Sequence, residues 1–287
     1  MTTYQAPAKL NLSLLLSPPR SDGYHPIESL VQTIEWCDLL EVEPGEGGDD
    51  LAVDGEAGVR VEDNLVLEAL RAVRDTATVP ALTMRLIKDI PVAAGLGGGS
   101  SDAAAALLAC ADLGVVSPSS LGSIAARVGA DVTLFLTGGT LMMTGMGEEI
   151  EALRAADDFG VAVVVPEYAV STGDAYSRWD DLEGPEGPAV PEERLPPSLR
   201  DGMPMRNDLL PAVLDLEPRL GDFIADVAAV WKTTVCLTGS GSACFGYFAT
   251  VDEAADAAQA VSHLAVGARG LDLRPFGVRR LPERLDE

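Results

Sequence analysis

The stretch PVAAGLGGGSSDAAAA, residues 91–106, constrains this chain more than any other. It joins an apolar run over residues 82–87, read as a strand, to an alanine- and leucine-rich run over residues 102–113 that favours helix and contains no breaker. Gly95, Gly97, Gly98 and Gly99 give the backbone access to positive φ and to close approach by a ligand, and Ser100, Ser101 and Asp102 suit a helix start. Free N–H groups and the positive end of a helix dipole then meet an anion, so the stretch reads as a phosphate site. It is not a Walker A loop, because Ser100 and Ser101 follow Gly99 where that motif needs lysine. The dinucleotide fingerprint also fails, since its third glycine would fall on Ser100 or on Asp102. A plain turn would need one glycine, and adjacent glycines cost conformational entropy.

The 287 residues suffice for one large domain or two ordinary ones. A hydrophobic content of 47% with 29 glycines fits an α/β or α+β protein. The formal net charge of −25 argues against nucleic acid as a partner. Only Lys9, Lys88 and Lys232 supply ammonium groups. The acidic balance reads either as solubilising charge or as adaptation to a salty cytoplasm, where screening removes self-repulsion. Cys37, Cys110, Cys236 and Cys244 show no CxxC spacing, so neither a metal site nor a disulfide framework is indicated, and a cytoplasmic setting fits. No run is long and apolar enough to predict a membrane span.

Along the chain, Ala8, Leu10, Leu12 and Leu14 alternate with Lys9, Asn11 and Ser13, which predicts a half-buried strand with Lys9 and Asn11 on one face. A turn-rich loop carrying Tyr24 and His25 follows, then strands over residues 30–35 and 39–43. Residues 44–58 read as an exposed hairpin or loop, and residues 63–75 as a helix. A helix ending near Val128 stops at Gly129. Asp131 then lies in a polar gap, where a lone aspartate is more often a cap than a catalyst. Residues 132–136 read as a strand turning at Gly138 and Gly139. A strand over residues 161–165 opens the second half, and the proline-rich residues 182–199 read as an irregular surface loop. Helices over 208–215 and 218–230, strands over 234–237 and 244–249, a helix over 252–264 and a last strand over 271–278 suggest a small α+β sandwich.

Three segments, PAKLNL at Pro7, PVAAGLGGGSSDAAA at Pro91 and LTGSGSACFG at Leu237, together resemble the three signature motifs of the GHMP kinase superfamily. Further strings, RSDGYHPIES, GADVTLF, GMGEE and NDLLPAV, resemble the branch of that superfamily that acts on a cytidine-diphosphate-linked methylerythritol in non-mevalonate isoprenoid synthesis. Thr133 stands where that branch usually has proline, and Thr238 where it usually has serine. The resemblance implies an α+β, two-domain GHMP kinase fold. Its N-terminal domain, residues 1–160, would be ribosomal-protein-S5-like and carry the ATP loop; its C-terminal domain, residues 161–287, would be a ferredoxin-like sandwich.

The resemblance further implies an ATP- and Mg²⁺-dependent kinase, a monomer or weak homodimer, with Lys9 and Asp131 as its catalytic pair. Phosphoryl transfer to an alcohol needs a proton acceptor, and a lysine beside a carboxylate stabilises the charge that develops. From spacing alone, the same two residues fit a structural ion pair. The ATP site is expected to comprise Pro91, Val92, Ala93, Ala94, Gly95, Leu96, Gly97, Gly98, Gly99, Ser100 and Ser101, with a serine hydroxyl available to Mg²⁺ or phosphate. Lys88 is read either as approaching the nucleotide or as a solvated strand end. Gly239 and Ser240 are read either as contacts to substrate phosphates or as a hairpin turn. Tyr24 and His25 offer an aromatic face and an imidazole to a cytosine. Tyr176 is read either as a second stacking ring or as packing, and Asn11 and Thr172 as contacts to sugar or diphosphate. Two other readings compete: a GHMP kinase for another small alcohol, such as homoserine or mevalonate, and a non-catalytic ligand-binding member.

Overall fold

A computed structural model describes residues 1–55, 61, 63–156 and 158–282 of the chain. The first part runs β1 (Thr2–Asn11), β2 (Leu15–Leu16), β3 (Ile27–Pro44), β4 (Asp50–Asp54), α1 (Leu65–Arg74) and β5 (Leu82–Ile87). It continues through α2 (Gly98–Asp112), α3 (Leu121–Val128), α4 (Ala130–Thr137), β6 (Thr140–Thr144) and β7 (Glu149–Ala152). The second part runs β8 (Gly160–Val165), α5 (Thr172–Asp181), α6 (Leu210–Leu216), α7 (Arg219–Trp231), β9 (Cys236–Leu237) and β10 (Cys244–Phe248). It closes with α8 (Val251–Ala260), β11 (Gly267–Leu271) and β12 (Arg279–Arg280).

One sheet has the order β12-β1-β3-β5-β4, with β2 and β6 pairing β3 and β7 pairing β6; the other has the order β11-β8-β10-β9. Helices α1 to α4 bury their apolar faces against the first sheet. In α1 that face is Val66, Ala69, Leu70 and Val73, and Asn64 caps the helix by accepting from Val66 N at 2.9 Å. Strand β8 is buried on both faces. Val161, Val163 and Val165 pack towards β1 and the glycine-rich stretch, while Ala162 and Val164 face the layer of α5 to α8. The glycine-rich stretch therefore lies where the two sheets meet.

The structure corrects several expectations. The two strands expected over residues 30–43 are one, β3, whose register against β1 shifts between Pro7 and Ala8. Proline has no N–H for the ladder, so an irregularity opposite it costs little. Residues 44–58 are not simply a loop, because β4 pairs parallel with β5; residues 56–58 lie outside the described residues. The strand expected over residues 132–136 is helix α4. A short apolar run cannot be told from a buried helical segment by periodicity, and Val132, Leu134 and Phe135 are all buried in α4. Helix α2 starts at Gly98 rather than Asp102, so Ser100, Ser101 and Asp102 lie inside it, and its N-cap is Gly97. The strand expected over residues 271–278 lies earlier, as β11. The chain then passes α4, where Val278 N donates to Phe135 O, and returns to the first sheet, where Leu281 N donates to Thr3 O, both at 2.8 Å. The proline-rich tract is irregular, as expected, but it buries Val190, Leu195 and Leu199.

Candidate active site

Lys9 and Asn11 lie at the end of β1, pointing the same way by the two-residue period of a strand, and both are buried. Lys9 Nζ donates to Asn11 Oδ1 at 2.5 Å rather than to Asp131. Asn11 Nδ2 donates to Ser29 Oγ at 2.7 Å, and Ser29 Oγ donates to Ser13 O at 2.6 Å, which fixes the orientation of the amide. Burial holds the Lys9 ammonium below the usual lysine range, and the Asp131 charge opposes that shift in part. Asp131 sits in the first turn of α4, half-buried, where the helix dipole favours a carboxylate.

Residues 91–97 form the loop entering α2. Gly95 and Gly97 take φ of +78° and +75°. A Cβ at Gly95 would stand 2.6 Å from Thr238 O, and one at Gly97 would stand 2.8 Å from the Phe135 ring, so both positions need glycine twice over. The loop is tied to both sheets: Lys9 N donates to Leu96 O at 2.9 Å, and Ala243 N to Ala94 O at 3.1 Å.

Two clefts meet at this loop. One, of about 670 Å³, is lined by residues 91–100 together with Asn64, Lys88 and Asp102. The other, of about 320 Å³, is lined by Lys9, Asn11, Asp131, Tyr176, Gly239 and Ser240 among others. Gly95, Gly97 and Thr172 border both. A third cavity, of about 510 Å³, is mostly apolar, is lined in part by Leu30, Met142 and Leu199, and contains none of these groups.

Of the candidate ATP residues, Ser101 borders neither cleft; it is fully buried, and its Oγ has no hydrogen-bond partner among the described residues. Lys88 is not solvated: its Nζ is held by Asp38 and, at 2.8 Å, by Asp102. Thr172 Oγ1 lies 2.8 Å from Ser240 Oγ, joining the start of α5 to the third glycine-containing loop. His25 is buried, with its ring centroid 5.3 Å from those of Tyr176 and Trp179 and its Nε2 2.8 Å from Asp180 Oδ1. It borders neither cleft directly. Burial pushes the Tyr176 hydroxyl up to about 12, so it stays protonated. Tyr24 is 64% exposed and also stands outside both clefts.

The GHMP kinases N terminal domain family matches residues 64–139, the span from the start of α1 to the end of α4. A relative from Granulibacter bethesdensis, 4-diphosphocytidyl-2-C-methyl-D-erythritol kinase, is 40% identical over 88% of this chain and 87% of its own length. One of the same name from Anaeromyxobacter sp. is 36% identical over 96% of this chain and 92% of its own. The chain belongs to the 4-diphosphocytidyl-2-C-methyl-D-erythritol kinase family. A crystal structure of 4-(cytidine 5'-diphospho)-2C-methyl-D-erythritol kinase superposes with TM-score 0.75 at 33% identity, covering 94% of this chain and 99% of that one. A mevalonate kinase superposes with TM-score 0.67 at 12% identity, which shows a shared fold. The α+β GHMP kinase fold expected from the motifs is therefore the fold of this chain.

Two buried residues next to the groups that line these clefts escaped the sequence. Asn207 is buried, and its Nδ2 donates to Leu237 O at 3.0 Å and Gly239 O at 2.8 Å, holding the loop beside Lys9. The string NDLLPAV marked the segment but not this task. Asn207→Ala is expected to cost about 1–3 kcal/mol, because buried carbonyls lose their donor. A urea unfolding curve with a lowered midpoint and an unchanged slope would show it. Asp38 is the other, and nothing in its local sequence distinguishes it.

Proposed function

We propose that this chain transfers the γ-phosphoryl group of ATP to the C2 hydroxyl of 4-diphosphocytidyl-2-C-methyl-D-erythritol, giving the 2-phosphate and ADP. The observation that carries the reading is the shared wall of Gly95 and Gly97, with a glycine-lined cleft on one side and Lys9 with Asp131 on the other. Such a wall lets a phosphate held in the first cleft meet a hydroxyl held in the second. In phosphoryl transfer the protein's work is mostly positioning and charge stabilisation.

In this reading, backbone N–H groups at the head of α2 bind the triphosphate. The Asp131 carboxylate accepts the proton of the C2 hydroxyl as its oxygen bonds to the γ-phosphorus. The bond from that phosphorus to the bridging oxygen breaks, and ADP leaves with the electron pair. Lys9 stabilises charge on the attacking oxygen and on the group in transit. Mg²⁺ bound to nucleotide phosphates needs only one or two protein oxygens, and the residues fit that demand. Ser100 and Asp102 border the nucleotide cleft, and Asp102 Oδ1 is a buried oxygen without a hydrogen-bond partner among the described residues. When bound, Mg²⁺ neutralises charge on the phosphates; the Ser100 hydroxyl is the group that would hold it. Asn11, Thr172, Gly239 and Ser240 contact the sugar and diphosphate. Tyr176, packed on His25, forms a wall for the cytosine, and the exposed Tyr24 ring has the free face that stacking on a base requires.

Coupled ADP release is expected with the cytidyl substrate and not with free methylerythritol, homoserine or mevalonate. Turnover with one of the other alcohols instead would overturn the choice of acceptor. No turnover with any alcohol would favour a non-catalytic member of the fold.

A further inference from the structure

Beneath the nucleotide cleft lies a buried cluster of one ammonium and two carboxyl groups, in which burial raises the Asp102 carboxyl well above the usual range and the Lys88 charge opposes that shift in part. Lys88 Nζ, 4% exposed at its side chain, is held between Asp38 of β3 and Asp102 of α2, which are 0% and 2% exposed. The second oxygen of Asp38, Oδ1, accepts from Asp89 N at 2.6 Å and Ile90 N at 2.9 Å, the first peptide groups of the segment that leads into the glycine loop. A Cβ at Gly98 would stand 3.2 Å from Lys88 Nζ and 3.3 Å from Asp38 Oδ2, so the first residue of α2 rests directly on the cluster.

We infer that Asp38 is a positioning residue for ATP, setting the glycine loop and the Lys88 ammonium at the height at which they meet the nucleotide phosphates. The inference rests on the ATP cleft proposed above. An ammonium has three N–H groups, and here two of them are taken by carboxylates. Lys88 borders the cleft, which leaves one donor for a phosphate oxygen. Stability alone does not account for the cluster. Replacing a buried ion triad by apolar residues of similar volume is often neutral or stabilising. What apolar residues would not do is fix the direction of a donor and tie the entry of the loop to it. Asp38 does both, through Oδ2 to Lys88 and through Oδ1 to the backbone at residues 89 and 90.

Asp38→Asn tests this, because position and charge then act in opposite directions. The asparagine oxygen still accepts from the two N–H groups, but its NH₂ faces the ammonium, donor against donor. Removing a negative charge would by itself tighten binding of an anion. Loss of position would weaken it. The expected result is a rise of about tenfold or more in the Kd for a fluorescent ATP analogue and in the KM for ATP. The KM for the cytidyl acceptor should be unchanged, and kcat at saturating ATP should fall less than about threefold. ATP affinity within about twofold of wild type, or tighter, would overturn the proposal, even if the melting temperature dropped. Should Asp38→Asn fail to fold, Asp38→Glu keeps the charge and displaces the carboxylate by one methylene, so that position alone changes, with the same expected rise and the same overturning result. The nucleotide titration needs no acceptor, so a wrong acceptor shows as absent wild-type turnover beside intact nucleotide binding.

Discussion

Asp131→Asn is expected to lower kcat by roughly two powers of ten or more while the chain remains folded. Asparagine matches aspartate in shape, and the first turn of a helix tolerates it, so α4 and its buried Val132 and Phe135 should stay in place. What is lost is the proton acceptor. Asp131 borders the cleft that also holds Lys9, and the KM for either substrate should move little, because the missing interaction forms only as the hydroxyl loses its proton. A coupled ADP assay with a thermal melt on the same sample checks both halves of the prediction. Near-normal turnover in the folded variant would return Asp131 to the structural role that its spacing also allowed.

Much of the site could be read from sequence because its chemistry is written in short strings. The glycine loop needs its positive-φ positions to be contiguous with a helix start, so the stretch announces itself. The alternation of β1 likewise put Lys9 and Asn11 on one face, and the structure joins them by a hydrogen bond. What stayed hidden depends on contacts between distant segments. Asp38 meets Lys88 across 50 positions and Asp102 through it, and no local pattern encodes that meeting. Asp102 looked like a helix-start residue because its type suits one, yet the helix begins earlier, at a glycine whose missing side chain makes room for the ion cluster. Helix α4 reads as a strand in the sequence because Val132 to Leu136 is apolar except at Thr133, and so short an apolar run carries no period that separates strand from helix.

Lys9→Met is the second variant with a large expected effect, and it separates function from stability. Its kcat should fall by roughly two to three powers of ten, the scale seen when a charge-stabilising donor is removed from an active site. Its stability should respond to pH in a direction that the burial of Lys9 dictates. Desolvation holds the ammonium below its ordinary value of 10.5, and the Asp131 charge only partly restores it. The unfolded wild-type chain keeps that proton up to 10.5, whereas the folded chain releases it at lower pH. Between those two points the unfolded state binds more protons, so wild-type stability gains as pH rises through the window. Below the folded value the buried charge costs its full desolvation. Methionine carries no charge and escapes both effects, although it leaves Asn11 Oδ1 without its donor, a penalty that does not vary with pH. The melting temperature of Lys9→Met relative to wild type should therefore be most favourable near neutral pH and decline as pH approaches 10.5. Paired melts across that range test it. A difference that ignored pH would mean that the Lys9 ammonium is not strained by burial, and retained turnover would remove it from the catalytic pair.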